Sequence, residues 1–186
     1  FQKLLGEAHK RGISVIMDLV LNHTSNRHEW FIDSMDPKSP YRDWYRWVEE
    51  DTGDYNLKTV VWGHPVWNKV NGSYYYGIFW SGMPDLNYDN PDVRREAKNI
   101  AAFWLDKGVD GFRLDAVPHI FDTTEVRPGE SGLEKTKAWW KEFTDYCHQK
   151  KTGSLIVGEV LNDSVSIRAS YLSSLDSTFH IGLGTQ

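Results

Sequence analysis

The sequence predicts an α/β protein built on a parallel sheet with helical crossovers, and three observations carry that expectation. Helix-then-strand steps recur along the chain, each apolar strand segment ends in a carboxylate, and one long irregular stretch interrupts the series after the first strand. Helices that alternate with apolar strands are the pattern of parallel sheets, because each crossover must return the chain to the same end.

The first step is "FQKLLGEAHKRG", apolar at roughly helical spacing and stopped at Gly12, followed by "ISVIMDLVL". That run is apolar except for Asp18, which predicts a fully buried parallel strand. The second step is "DVRREAKNIAAFWLDKG", an amphipathic helix with Pro91 just ahead of it, leading into "VDGFRLDAV". A third runs from "SGLEKTKAWWKEFTDYCHQKKTG" to "SLIVGEVL"; a short helix over 164–172 and a strand start in "STFHIG" follow.

Spacing locates an insertion. Asp115 and Glu159 are 44 residues apart, reasonable for one helix-strand unit with a longer loop, whereas Asp18 and Asp115 are 97 apart. The surplus falls in residues 24–84, which are aromatic and punctuated by Gly and Pro. Within it, "WGHPVWNKVNGSYYYGIFWSG" sets Asn71-Gly72 between aromatic runs, the signal of a hairpin. The predicted organisation is therefore 1–23 as sheet, 24–84 as an inserted domain on the loop side of the sheet, and 85–186 as the rest of the sheet.

Composition narrows the function. The 186 residues are 40% apolar and 25% charged, the balance of an ordinary globular protein. A formal charge of -5 without a basic cluster argues against nucleic acid as a partner, and no apolar run has membrane-spanning length. Aromatic residues make up 14%, which is ordinary core chemistry and also the means by which clefts hold sugar rings. Cys147, alone, excludes an intrachain disulfide and assigns no compartment.

The chemistry concentrates at strand ends: Asp18 with Asn22-His23 beyond it, Arg113 with Asp115, and Glu159. Arg113 and Asp115 flank Leu114, so on a strand both point to one face. Such a pair is either framework or part of a site. Ligands gather at the carboxyl ends of parallel strands, which favours the site. Two carboxylates from neighbouring strands suit glycosidic cleavage, where one must protonate the leaving oxygen and the other must meet the cation-like sugar carbon. The competing arrangement has Asp18, Asp115 and Glu159 on a divalent metal, against which Arg113 would set its positive charge. No Gly-rich phosphate loop is present in the sequence.

Four ordered segments, "DLVLNHTS", "MPDLNYDNP", "GFRLDAVPH" and "GEV", resemble signature segments of the alpha-amylase family of glycoside hydrolases. The resemblance covers essentially the whole chain. It implies an incomplete (β/α)8 TIM barrel, about strands three to six, with a small irregular β-containing domain inserted after the third strand. It implies Asp115 as nucleophile, Glu159 as general acid/base and Arg113 as the group that holds the nucleophile charged and aimed. An ionised Asp115 would help Glu159 keep its proton. By the same resemblance His23 binds the sugar whose bond is cut, His119 touches the sugar on the leaving side, and Asp18 and Asn22 are supporting residues. No cofactor is implied for the chemistry; true alpha-amylases can hold a structural calcium with the counterparts of Asn22 and the His119 region.

The partner implied is an α-glucan or maltooligosaccharide, cleaved at α-1,4 bonds with retention. The segments "NHTSNRHEWF", "SPYRDWY" and "MPDLNYDNP" resemble the branch between oligo-1,6-glucosidases and neopullulanase-like amylases. Met83 stands where oligo-1,6-glucosidases and trehalose synthases typically have Gln. The alternatives are an α-glucosidase, an oligo-1,6-glucosidase or a glucosyl-transferring relative such as trehalose synthase. The family's third essential carboxylate follows a seventh strand, beyond Gln186. The expectation is therefore a fragment, inactive or merely glucan-binding when alone.

Overall fold

A computed structural model describes residues 1–49, 55–121, 131–162 and 164–179. In chain order the elements are α1 (Gln2–His9), β1 (Ile16–Leu19), α2 (Glu29–Ser34), β2 (Trp47–Val48), β3 (Val60–Val61), β4 (His64–Pro65), β5 (Trp67–Val70) and β6 (Ser73–Tyr76). There follow α3 (Pro91–Asp106), β7 (Gly111–Leu114), α4 (Gly132–Lys150), β8 (Leu155–Gly158), α5 (Val165–Ser170) and β9 (Ser177–Thr178). They fall into two compact units, one of Phe1–Val20, Arg95–Pro118 and Lys135–Gln186, the other of Leu21–Arg94 and His119–Glu134.

The first unit holds a four-stranded sheet in the order β1-β7-β8-β9, every pair parallel. Strand order thus follows chain order, with helices as crossovers, as the three helix-then-strand steps predict. Glycines stop the chain where expected: Gly12, Gly108 and Gly153, in the turns after α1, α3 and α4, all have positive φ. Pro91 opens α3, and the Asn90 side chain accepts from the Asp92 N–H at 2.9 Å.

Alternation along β7 buries Phe112 and Leu114 completely on one face and leaves Arg113 on the other. Trp139, Trp140, Phe143 and Cys147 of α4 are equally buried, and Trp140 donates to the Val117 carbonyl at 2.8 Å. Each large side chain so buried contributes about 2–3 kcal/mol of apolar stabilisation. Burial pushes the Cys147 thiol up to about 12, with the Asp176 charge adding to the shift.

β1 departs from the fully buried strand that its apolar run predicts. It is an edge strand among the described residues, and Ile16 and Val20 are exposed. An apolar run reports that both faces of a strand want cover; it does not say on how many sides neighbours lie. The strand start in "STFHIG" is real but brief, Ser177–Thr178; residues from His180 onward lie outside the described residues.

A repeated clamp ties the amino ends of the strands. Asp110, just ahead of β7, accepts from the Val15 N–H at 2.7 Å, from His9 at 2.7 Å and from Lys151 at 2.8 Å. Asp176, just ahead of β9, accepts from the Ile156 N–H at 2.8 Å and from His148 at 3.0 Å. In each case the acid joins the end of a helix to the strand beside it.

The second unit is irregular and antiparallel. β2, β6 and β5 form one sheet and β3 and β4 a two-residue hairpin. Asn71 and Gly72, with φ of 49° and 91°, make the turn between β5 and β6 that their sequence predicts. Val48, Val66, Trp67, Tyr76 and Ile78 form its core. No helix among the described residues is long and apolar enough to cross a membrane.

Candidate active site

Parallel pairing brings the strand-end carboxylates to a common end of the sheet. Asp18 on β1 lies opposite Arg113 on β7, which lies opposite Val157 on β8. Asp115 follows β7 and its N–H reaches the Leu19 carbonyl at 3.4 Å. Glu159 follows β8, donates its N–H to the Leu114 carbonyl at 2.9 Å and accepts from the Val117 N–H at 3.3 Å. Both side chains are therefore fixed by strand-like backbone at their base. Between them Ala116 takes a φ of 51°, a left-handed conformation for a buried non-glycine residue immediately after Asp115.

One guanidinium joins all three acids. Arg113 Nη1 donates to Asp18 Oδ1 and to Asp115 Oδ1, both at 2.7 Å, and Nη2 donates to Glu159 Oε1 at 2.8 Å. Side-chain exposure is 24% for Arg113, 24% for Asp115 and 21% for Glu159, but 58% for Asp18. Burial works against the charge on Arg113. The bond to Asp18 and the charges of Glu159, Asp18 and Asp115 more than offset it, so its pKa is raised. The sequence pairs Arg113 with Asp115 only; its reach to Glu159 and to Asp18 appears once β1 and β8 are set on either side of β7.

The remaining candidate residues lie together in the second unit. Asn22 is buried, and its backbone carbonyl accepts from the Leu86 N–H at 2.9 Å. Its Nδ2 stands 3.4 Å from His23 Nδ1, and His23 bridges to Asp85 across the backbone. The His23 ring meets Phe79 edge-on at 5.4 Å, and His119 meets the same Phe79 at 5.3 Å. Trp62, which no sequence signal beyond the following Gly63 marks, stacks on Phe79 at 5.7 Å and touches His119 edge-on at 5.5 Å. A separate cavity of about 550 Å³ in this unit is lined by Arg42, Arg46, Trp47, Tyr55 and Asn87 and by none of the candidate residues. Its arginines are bound internally, Arg46 to Asn87 and Asp89, Arg42 to Glu49 and Ser73.

The residues expected near a structural calcium are only partly described: Asn22 Oδ1 is buried without a hydrogen-bond partner, and calcium takes six to eight oxygens. Among the described residues no three His, Cys, Asp or Glu side chains are grouped to hold a metal; residues 122–130, after the His119 region, lie outside them.

A parallel sheet that presents two part-buried carboxylates and an arginine at adjacent strand ends supplies the groups that carboxylate glycoside hydrolysis uses. The alpha-amylase catalytic domain model matches residues 1–181, and the chain belongs to that family. It is 45% identical over 185 residues to alpha-amylase 3 of Dictyoglomus thermophilum, covering 98% of this chain and 33% of that protein. It is 46% identical over 134 residues to an oligo-1,6-glucosidase of Parageobacillus thermoglucosidasius, covering 70% of this chain and 24% of that one. Among solved structures, an alpha-amylase from H. orenii superposes with a TM-score of 0.83 at 43% identity, covering 98% of this chain and 36% of the other. The chain thus spans about a third of the length of these alpha-amylases.

Proposed function

We propose that the chain carries the bond-cleaving groups of a retaining glycoside hydrolase acting on α-1,4-glucosidic bonds of starch-like glucans or maltooligosaccharides. Its four parallel strands are read as the third to sixth of a (β/α)8 barrel, with residues 24–84 as the domain inserted after the third. The chain works within a longer catalytic domain, a reading supported by its coverage of a third of its relatives and by the open β1 edge.

The observation that carries the reading is the single guanidinium bound to both Asp115 and Glu159. In the first step Asp115 attacks the anomeric carbon and the glycosidic C–O bond breaks, while Glu159 gives its proton to the departing oxygen. In the second, Glu159 takes a proton from water, which attacks the same carbon and frees Asp115. Arg113, expected among the substrate-binding residues, aims Asp115 and balances the charge around it. Because Arg113 offers only donors, Glu159 leaves that contact when it turns a proton toward the glycosidic oxygen. His23 binds the sugar under attack and His119 the sugar that leaves.

A comparison of Asp115→Asn and Glu159→Gln in the complete enzyme tests these roles. With an activated nitrophenyl glycoside, which needs little protonation, Glu159→Gln should lose much less activity than on maltotriose. Asp115→Asn should be nearly inert on both. Equal losses for both variants on both substrates would overturn the assignment.

A second reading, an oligo-1,6-glucosidase, draws on the 46% identity to such an enzyme. Met83, in place of the Gln typical there, favours the α-1,4 reading.

A further inference from the structure

The chain leaves Asp115 through a conformation that few residues adopt without constraint. Ala116, 6% exposed, has a φ of 51° and is neither glycine nor asparagine. A residue held in that region persists because its surroundings impose it. The constraint lies in the next residue, Val117, which is wholly buried and held by both backbone groups and by its side chain.

The Val117 N–H donates to the Glu159 carbonyl at 3.3 Å, and its carbonyl accepts from the Trp140 indole N–H at 2.8 Å. Its side chain lies over Gly158, where a Cβ would stand 3.0 Å from Val117 Cγ2 and 2.4 Å from Leu175 Cδ1. Glu159 in turn donates its N–H to the Leu114 carbonyl at 2.9 Å. A closed circuit of backbone thus runs from Leu114 through Asp115, Ala116 and Val117 to Glu159 and back to Leu114. Trp140, fully buried on α4, pins that circuit from the helix that joins β7 to β8. All of these residues belong to the first unit. A buried indole needs a partner for its N–H, but any carbonyl in reach would meet that need; this one belongs to the segment just after the nucleophile.

We propose that Trp140 is a positioning residue for the nucleophile: its indole N–H holds Val117 against β8, and the left-handed turn at Ala116 carries that hold back to Asp115. The inference rests on the glycoside hydrolase reading above and deepens it. Arg113 restrains the carboxylate heads of Asp115 and Glu159, at 2.7 and 2.8 Å. The Trp140–Val117 bond restrains the backbone at their base. Restraints at both ends of the Asp115 side chain leave it little freedom to swing, which is what attack on a carbon at a fixed distance demands. With the lower restraint released, Glu159 keeps its place on β8 while Asp115 drifts, so the covalent step slows for every substrate.

The test uses the complete enzyme with Trp140→Phe, which keeps a buried ring and deletes the donor, and with Ala116→Gly, which suits the left-handed turn and frees it. Each is treated with a fluorinated α-glucosyl fluoride, which halts the reaction at the glucosyl ester, and mass spectrometry follows the rate and the final extent of labelling. Both variants should reach the extent of the unmodified enzyme, but about tenfold more slowly at saturating reagent, a part of the roughly hundredfold that a misplacement near 1 Å costs. In both, kcat/KM on maltotriose and on a nitrophenyl glycoside should fall by the same factor, unlike in Glu159→Gln, which spares the activated substrate. A role in folding alone predicts a different pattern. Trp140→Phe would then show a reduced extent or melting temperature, with the surviving enzyme labelled at the unmodified rate, and Ala116→Gly would show no change. That pattern would overturn the proposal and leave the hydrolase reading intact; Ala116→Gly decides by its labelling rate even where Trp140→Phe does not fold. An unmodified enzyme that takes no label and cleaves neither substrate would remove the reading and the proposal together.

Discussion

Replacing Arg113 with Lys keeps a positive charge in the site and deletes the fork that spreads it. The guanidinium donates to Asp115 at 2.7 Å and to Glu159 at 2.8 Å, each acid being about three-quarters or more buried. A hydrogen bond to a charged group in such surroundings is worth about 1.5–3 kcal/mol. The third contact, to the exposed Asp18, is worth at most about 1 kcal/mol. An ammonium is a compact point charge, and it cannot reproduce two bonds from one nitrogen and a third from its neighbour in a fixed plane. One of the two part-buried contacts is therefore lost and the other loosened, a cost of about 3 kcal/mol, which is about a hundredfold in rate. Because Arg113 holds Asp115 and Glu159, the loss should fall mainly on kcat. Steady-state kinetics on maltotriose, with thermal unfolding measured in parallel, separates this from simple destabilisation. Asp18→Asn, on the exposed arm, should cost no more than about fivefold. An Arg113→Lys enzyme within threefold of the unmodified kcat, or one whose loss is matched by Asp18→Asn, would refute the reasoning.

Three further outcomes are expected. Burial alone would raise the Asp110 carboxyl, but its bonds with Lys151, the Val15 N–H and His9 win and lower it to about 2 from 3.8. That folded-state depression is stability present above the unfolded value and lost as pH falls from about 4 through 2. After discounting for solvent it is about 1 kcal/mol, read as a smaller acid-induced loss of thermal stability in Asp110→Asn. Gly111→Ala would set a Cβ 2.0 Å from the Leu155 carbonyl oxygen, so β7 and β8 must part locally; a loss of about 3 kcal/mol is expected in chemical denaturation. The 186-residue chain expressed alone should release no reducing ends from soluble starch above a Glu159→Gln control, since a misplacement near 1 Å already costs about a hundredfold.

Much of this was legible in the residues because the signals are local. Gly12, Gly108 and Gly153 end their helices by geometry that few other residues adopt, and Asn71-Gly72 fixes its hairpin for the same reason. Period-two alternation set Arg113 and Asp115 on one face before any neighbour was known. What was not legible depends on who lies beside whom. That β1 is an edge, that Arg113 spans to Asp18 and Glu159, and that Asp110 and Asp176 clamp strands ahead of them are all facts of pairing. Trp62 escaped for a different reason: it breaks the turn preference of its own position, and its neighbours Phe79 and His119 are 17 and 57 residues away.

The nucleophile is the centre of the account, and it can be labelled. A fluorinated α-glucosyl fluoride slows the second displacement more than the first, so the complete enzyme should accumulate a glucosyl ester that mass spectrometry detects as a single added sugar. Digestion should place that sugar on the peptide containing Asp115, and the label should be absent in Asp115→Asn. A label on Glu159 or Asp18, or steady turnover with release of the β-anomer and no covalent species, would contradict the assignment of Asp115 and the retaining mechanism with it.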